Sequence, residues 1–197
     1  MKKELLALTL IASPLMADES LLEVRAREYN TPRKTERFMR SRYQNFGDAQ
    51  PMRLNSTEEF LATGLGDEKE MVNAAADMMH RNGYTAKKMY YRTASGIERY
   101  YVYIADPPQQ NNYLIHIEWQ TEMVPHTIPQ TIIDYHGNVR MYWVTVYEPH
   151  NYIAPLLVTG FGNETDAKMY LQREPVIEWG QFEYNPQSPD GMMRIPG

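Results

Sequence analysis

Asp67-Glu68-Lys69-Glu70-Met71-Val72-Asn73-Ala74-Ala75-Ala76-Asp77-Met78-Met79-His80-Arg81-Asn82-Gly83 is the stretch on which the fold turns. Met71, Ala75, Met78 and Met79 recur at helical spacing, and Asn82-Gly83 is a C-terminal stop. Asp67 and Glu70 have the spacing of a capping box with an aspartate cap. After Gly83 the period changes to that of strands. Tyr84 to Arg92 and Ile97 to Ala105 flank Ala94-Ser95-Gly96, a hairpin signal.

Working outward, Thr31-Pro32 is a cap followed by proline at the first helical position, and it predicts a helix from Arg33 to Asn45. Ser56 or Thr57 caps a short helix, Glu58 to Thr63, which Gly64 ends. Downstream, Asp106 to Asn112, with Pro107-Pro108, reads as a polar loop, and Tyr113 to Trp119 as an apolar strand. Gln130 to Tyr135 and Val139 to Tyr147 flank a second tight turn, His136-Gly137-Asn138. A late helix around Thr165 to Arg173 precedes a tail rich in proline, asparagine and glycine, expected to be irregular. Helices first and an antiparallel sheet afterwards predict an α+β domain, with N-terminal helices packed on the sheet.

Lys2 and Lys3 precede an apolar run, Leu5 to Met16, that ends in Ala17 before Asp18. This reads as a secretory signal peptide over residues 1–17, followed by one exported domain over 18–197. The alternative is an ordinary amphipathic first helix. The run is short for a membrane span, and nothing later is apolar enough for one. Net charge is −5 with scattered basic residues, which argues against nucleic acid as a partner. There are no cysteines, so disulfides, thiolate metal sites and thiol chemistry are excluded together. Fifteen tyrosines and thirteen methionines are divided between two expectations, core filler and an adhesive surface.

Asn55-Ser56-Thr57-Glu58-Glu59-Phe60-Leu61, then Gly64-Leu65-Gly66-Asp67-Glu68, resembles the bacterial transglutaminase-like cysteine proteinases, among them the LapG-type periplasmic proteases. The resemblance runs from Arg37 to Tyr135 and rests mainly on the E-F-L and G-x-G-D segments. It implies a papain/transglutaminase-like fold in which a cysteine opens a helix, a histidine follows on a strand, and an aspartate orients the ring. His116 and Asp134 match those two later positions. A helix N-terminus stabilises a thiolate there through free amides and the helix dipole. Here the matched position is Glu68, and a carboxylate is a poor nucleophile toward an amide. The resemblance therefore implies a pseudoenzyme with vestigial positions Glu68, His116 and Asp134. Each also has an ordinary explanation: a first-turn acid, a core histidine and a turn aspartate.

The resemblance also implies calcium, through acidic ligands around the cysteine position. Asp67 and Glu70 match two of them, but Lys69 replaces the middle one, and an ammonium repels a dication. A capping box explains Asp67 and Glu70 equally well, and no metal or other cofactor is expected. The leading expectation is a non-catalytic periplasmic binding or scaffold protein in a cell-envelope assembly, such as adhesion, secretion or a flagellar motor. Its partner would be another envelope protein. Two alternatives stay open: a structural subunit with a filled cleft, and a hydrolase of another class using Glu68, His116 and Asp134.

Overall fold

The computed structural model describes residues 19–45, 55–106 and 111–195. The expected signal peptide and the Pro107-Pro108 dipeptide lie outside them. Four helices come first: α1 (Leu21–Glu28), α2 (Pro32–Arg42), α3 (Thr57–Thr63) and α4 (Glu68–Arg81). Their starts are fixed by side chains that satisfy otherwise orphaned amides. Ser20, Ser56 and Asp67 form capping boxes with Glu23, Glu59 and Glu70, and Thr31 caps α2 ahead of Pro32. Gly64 ends α3 in the left-handed region at φ 74°, and a Cβ there would overlap the carbonyl of Arg42. Helix α2 stops at Arg42, short of the expected Asn45. Gln44–Asn45 instead forms a short strand, β1, parallel to β2 (Leu65–Gly66).

Helix α4 is the centre of the helical layer. Met71, Val72, Ala74, Ala75, Ala76, Met78 and Met79 are all fully buried. The three consecutive alanines keep the helix thin where it packs against other elements. The sheet holds β3 (Thr85–Thr93), β4 (Glu98–Asp106), β5 (Asn111–Ile133), β6 (Val139–Phe161), β7 (Val176–Tyr184) and β8 (Met192–Ile195). Their order is β6-β5-β4-β3-β7-β8, with every neighbouring pair antiparallel. Tyr100, Val102, Ile104, Ile115 and Phe182 share one hydrophobic core with residues of α1 to α4. The opposite face carries Met89, Tyr101, Tyr103 and Leu114, which pack on Ala167 and Leu171 of α5 (Glu164–Leu171). Strand β4 is buried on both faces, which is why its sequence is almost continuously apolar.

Two expectations are corrected. The tail is not irregular: β7 pairs with the free edge of β3 (Tyr90 beside Gly180), and β8 pairs with β7. Gly180 is required there, because a Cβ would run into the Tyr90 ring. The segment from Tyr113 to Tyr147 is not a set of short strands. It belongs to two 23-residue strands, β5 and β6, joined by the expected turn around His136 and Gly137.

Candidate functional site

The ladder between β4 and β5 ends at the pair Tyr101 and His116. At this opening lies a cavity of about 180 Å³ whose lining includes Tyr91, Arg99, His116, Glu118 and Arg173. Glu68, the first residue of α4, reaches Arg99. The Arg99 Nη1 donates to Glu68 Oε1 at 2.9 Å, while Glu68 Oε2 is buried with no partner among the described residues. Burial pushes the Glu68 carboxyl up to about 7, against the opposing pull of the Arg99 charge and hydrogen bond. His116 is 4% exposed, and its Nε2 likewise has no partner among the described residues. Burial, with the nearby Arg173 cation, pushes the imidazole down to about 4. Glu68 is thus ion-paired with Arg99 and not with His116. The carboxylate found the stronger cation, and the ring is neutral at pH 7.

Asp134 is not brought to this site. It stands in the turn between β5 and β6, eighteen positions along from His116, so at about 3.3 Å per residue it lies on the order of 55 Å away. Its Oδ1 accepts from the amides of His136 and Asn138, which holds the turn, and these bonds keep its carboxyl below the usual range. The calcium candidates are engaged elsewhere. Asp67 accepts from the amides of Lys69 and Glu70, with Lys69 Nζ 3.0 Å away. Glu70 accepts from the amides of Asn55 and Asp67 and from the Tyr184 hydroxyl. Among the described residues no group of three or more His, Asp or Glu is placed to hold a metal.

The feature that sequence reasoning missed is the length of the β5–β6 hairpin. Strand β4 accompanies β5 only as far as His116, while β6 stays paired with β5 out to Ile133 and Val139. Beyond the buried Ile117 and Ala154, residues 119–153 thus project as a two-stranded arm, about 50 Å long at about 3.3 Å per residue. Because side chains alternate along a strand and paired residues share a face, the register sorts the arm into two surfaces. Between Met123 and Pro149, Glu122 being the neighbouring row, the even face carries His126, Arg140 and Glu148. The odd face reads Met123, Pro125, Thr127, Pro129, Thr131, Ile133 on β5 and Val139, Met141, Trp143, Thr145, Tyr147, Pro149 on β6. It contains no charged residue. Met141 is 66% and Trp143 68% exposed, and Tyr135 at the turn is 92% exposed. His126 and His150 lie on the arm's strands.

Prolines interrupt the outer edge of β5 at Pro125 and Pro129 and that of β6 at Pro149 and Pro155, while β6 from Val139 to Tyr147 carries none. Proline has no amide to donate, so Pro125, Pro129, Pro149 and Pro155 fit the ladder only with their backbone turned outward. Pro155 shows this orientation directly, since its carbonyl accepts from Arg40 Nη2 of α2 at 3.1 Å. Among the described residues no helix is long and apolar enough to cross a membrane. Comparison of the chain with family models, curated proteins and solved structures returns no match.

Proposed function

We propose that this is a non-catalytic, exported binding or scaffold protein that holds another cell-envelope protein through the β5–β6 arm. The carrying observation is the arm's odd face, an uncharged, tryptophan-bearing surface that leaves its large side chains more than half exposed. Exposed apolar surface of that extent marks a contact site. An isolated two-stranded hairpin is only marginally stable in water, so such an arm gains from being covered.

The body supports a binding role rather than chemistry. The chain has no cysteine, Glu68 at the matched position is tied to Arg99, and Asp134 is remote from His116. We read the body as a degenerate transglutaminase-like fold. That reading is supported by the order of α4 and the antiparallel strands after it, and by His116 on β5 beside the cavity. One observation favours a second reading as a hydrolase. Glu68, held near 7, pairs with Arg99, and Arg99 and His116 both line the cavity; perturbed groups beside a cleft are what acid–base catalysis uses. Hydrolysis of an envelope polymer that is lost in Glu68→Gln would establish that reading.

Affinity capture from the protein's own envelope fraction tests the binding role. The parent should retain a defined partner that Trp143→Glu loses, while Glu68→Gln retains it. Equal capture by the parent and Trp143→Glu would remove the arm from the function.

A further inference from the structure

Read about its middle row, Thr127 beside Thr145, the odd face of the arm repeats its residue types in the first odd row to either side, though not beyond. On β5 a proline stands two residues to either side of Thr127, at Pro125 and Pro129. On β6 an aromatic ring stands two residues to either side of Thr145, at Trp143 and Tyr147. A two-fold axis lying along that row and between two faces reverses the strand direction and sets β5 over β5 and β6 over β6. Trp143 of one copy then meets Tyr147 of the other, twice, and Pro125 meets Pro129, twice. The two threonine rows cross on the axis.

We propose that the odd face of the arm is covered by the odd face of a second copy, in an antiparallel, two-fold arm-to-arm dimer. This deepens the binding role assigned to the arm and rests on it. Three features select a second copy. The first is the symmetry of the residue pattern, which an isologous interface requires and a different partner does not. The second is charge: a chain of net charge −5 opposes its own copy, yet this face brings no like charges together. The third is area. A two-stranded face is about 10 Å wide, and the thirteen rows from Thr121 to Ile133 that the axis superposes extend about 43 Å. The pair would cover on the order of 900 Å², the size of a weak, reversible contact. Pro125 and Pro129 interrupt the outer edge of β5, which disfavours a continuous sheet joined through that strand.

The absence of native cysteine makes the test direct. The purified protein should sediment at twice the mass of its chain. Trp143→Glu, which sets a carboxylate against Tyr147 of the other copy at both ends of the interface, should raise the dissociation constant at least tenfold. Thr145→Cys, on the axis, should be joined to its own counterpart by a short bis-maleimide, while Glu148→Cys on the even face should not. A dimer that survives Trp143→Glu, or joins equally well through residue 148, would overturn the arrangement. So would a monomer in which Thr145→Cys remains unjoined, or an arm that engages lipid vesicles in preference to its own copy. The arm's binding role would stand in those cases if Trp143→Glu still loses an envelope partner, and would fall if nothing depends on Trp143.

Discussion

Replacing Glu68 by Gln should tilt the dependence of stability on pH, and by a predictable amount. Burial lifts the folded carboxyl from its usual 4.5 to about 7. Below pH 4.5 both folded and unfolded chains hold the proton. As pH rises toward 7 the unfolded chain loses it first, so Glu68 withdraws stability progressively across that window. At about 1.4 kcal/mol for each tenfold change in proton affinity, the withdrawal amounts to ~3 kcal/mol. His116 acts with the opposite sense. Its folded value near 4 lies below the usual 6.5, so its contribution is present above 6.5 and is lost as pH falls toward 4. The two slopes oppose each other, and the parent protein hides both. In Glu68→Gln the His116 slope should stand alone. Urea unfolding measured from pH 4.5 to 7.5 should show the variant gaining ~3 kcal/mol on the parent as pH rises. Taking the difference between the two proteins cancels every other titrating group. A flat difference would refute the buried carboxyl. A His116 NMR midpoint above 6.5 would refute its isolation from Glu68.

Further outcomes follow from the same contacts. Arg99→Met strips the partner from a buried carboxylate and should destabilise by about 3 kcal/mol at pH 8, with a smaller loss at pH 5 where Glu68 takes up a proton; chemical unfolding at both pH values reads this. Asp67→Ala removes the cap of α4 and should lower stability by about 1 kcal/mol. Millimolar calcium should leave the melting temperature unchanged, because the oxygens of Asp67 and Glu70 already accept amide hydrogens; a shift of several degrees that Asp67→Ala abolishes would restore a metal site. Gly180→Ala must displace the Tyr90 ring, whose hydroxyl donates to Glu178, and should cost about 1–3 kcal/mol by thermal unfolding.

The helical half was readable because its signals are local. The caps Thr31, Ser56 and Asp67 and the stops Gly64 and Asn82-Gly83 act within a turn of their own position, and those helix boundaries came out within a few residues. The antiparallel hairpins at Gly96 and Gly137 were legible for the same reason. What lay hidden was long-range pairing. The proline and asparagine that made the tail read as irregular stand in the turn after Tyr184, whereas Val176 to Tyr184 became a strand because β3 had a free edge to offer. The prolines at 125, 129 and 149 broke the apparent strand signal, yet each fits a two-stranded ladder with an open outer side. The absence of charge at every odd position from Met123 to Ile133 was the available sign of the arm's face. Of the tyrosines, Tyr90, Tyr100, Tyr101 and Tyr103 are core, while Tyr135, Tyr142 and Tyr147 are exposed on the arm, so both expectations for that residue type have members. His116 lines the cavity on the sheet face that α5 covers, while Glu68 opens α4 on the other and Asp134 is remote, since a count of residues does not say where the chain turns back.

A photo-reactive amino acid placed at single positions in the living cell tests the central claim most directly. At position 143, on the odd face, irradiation should yield a discrete protein adduct that contains a second copy of the chain or an envelope partner. At position 148, on the even face of the same arm and equally exposed to solvent, it should yield none. Matching adduct patterns at the two positions, or no adduct at 143, would contradict the claim that this protein works through the uncharged face of its arm.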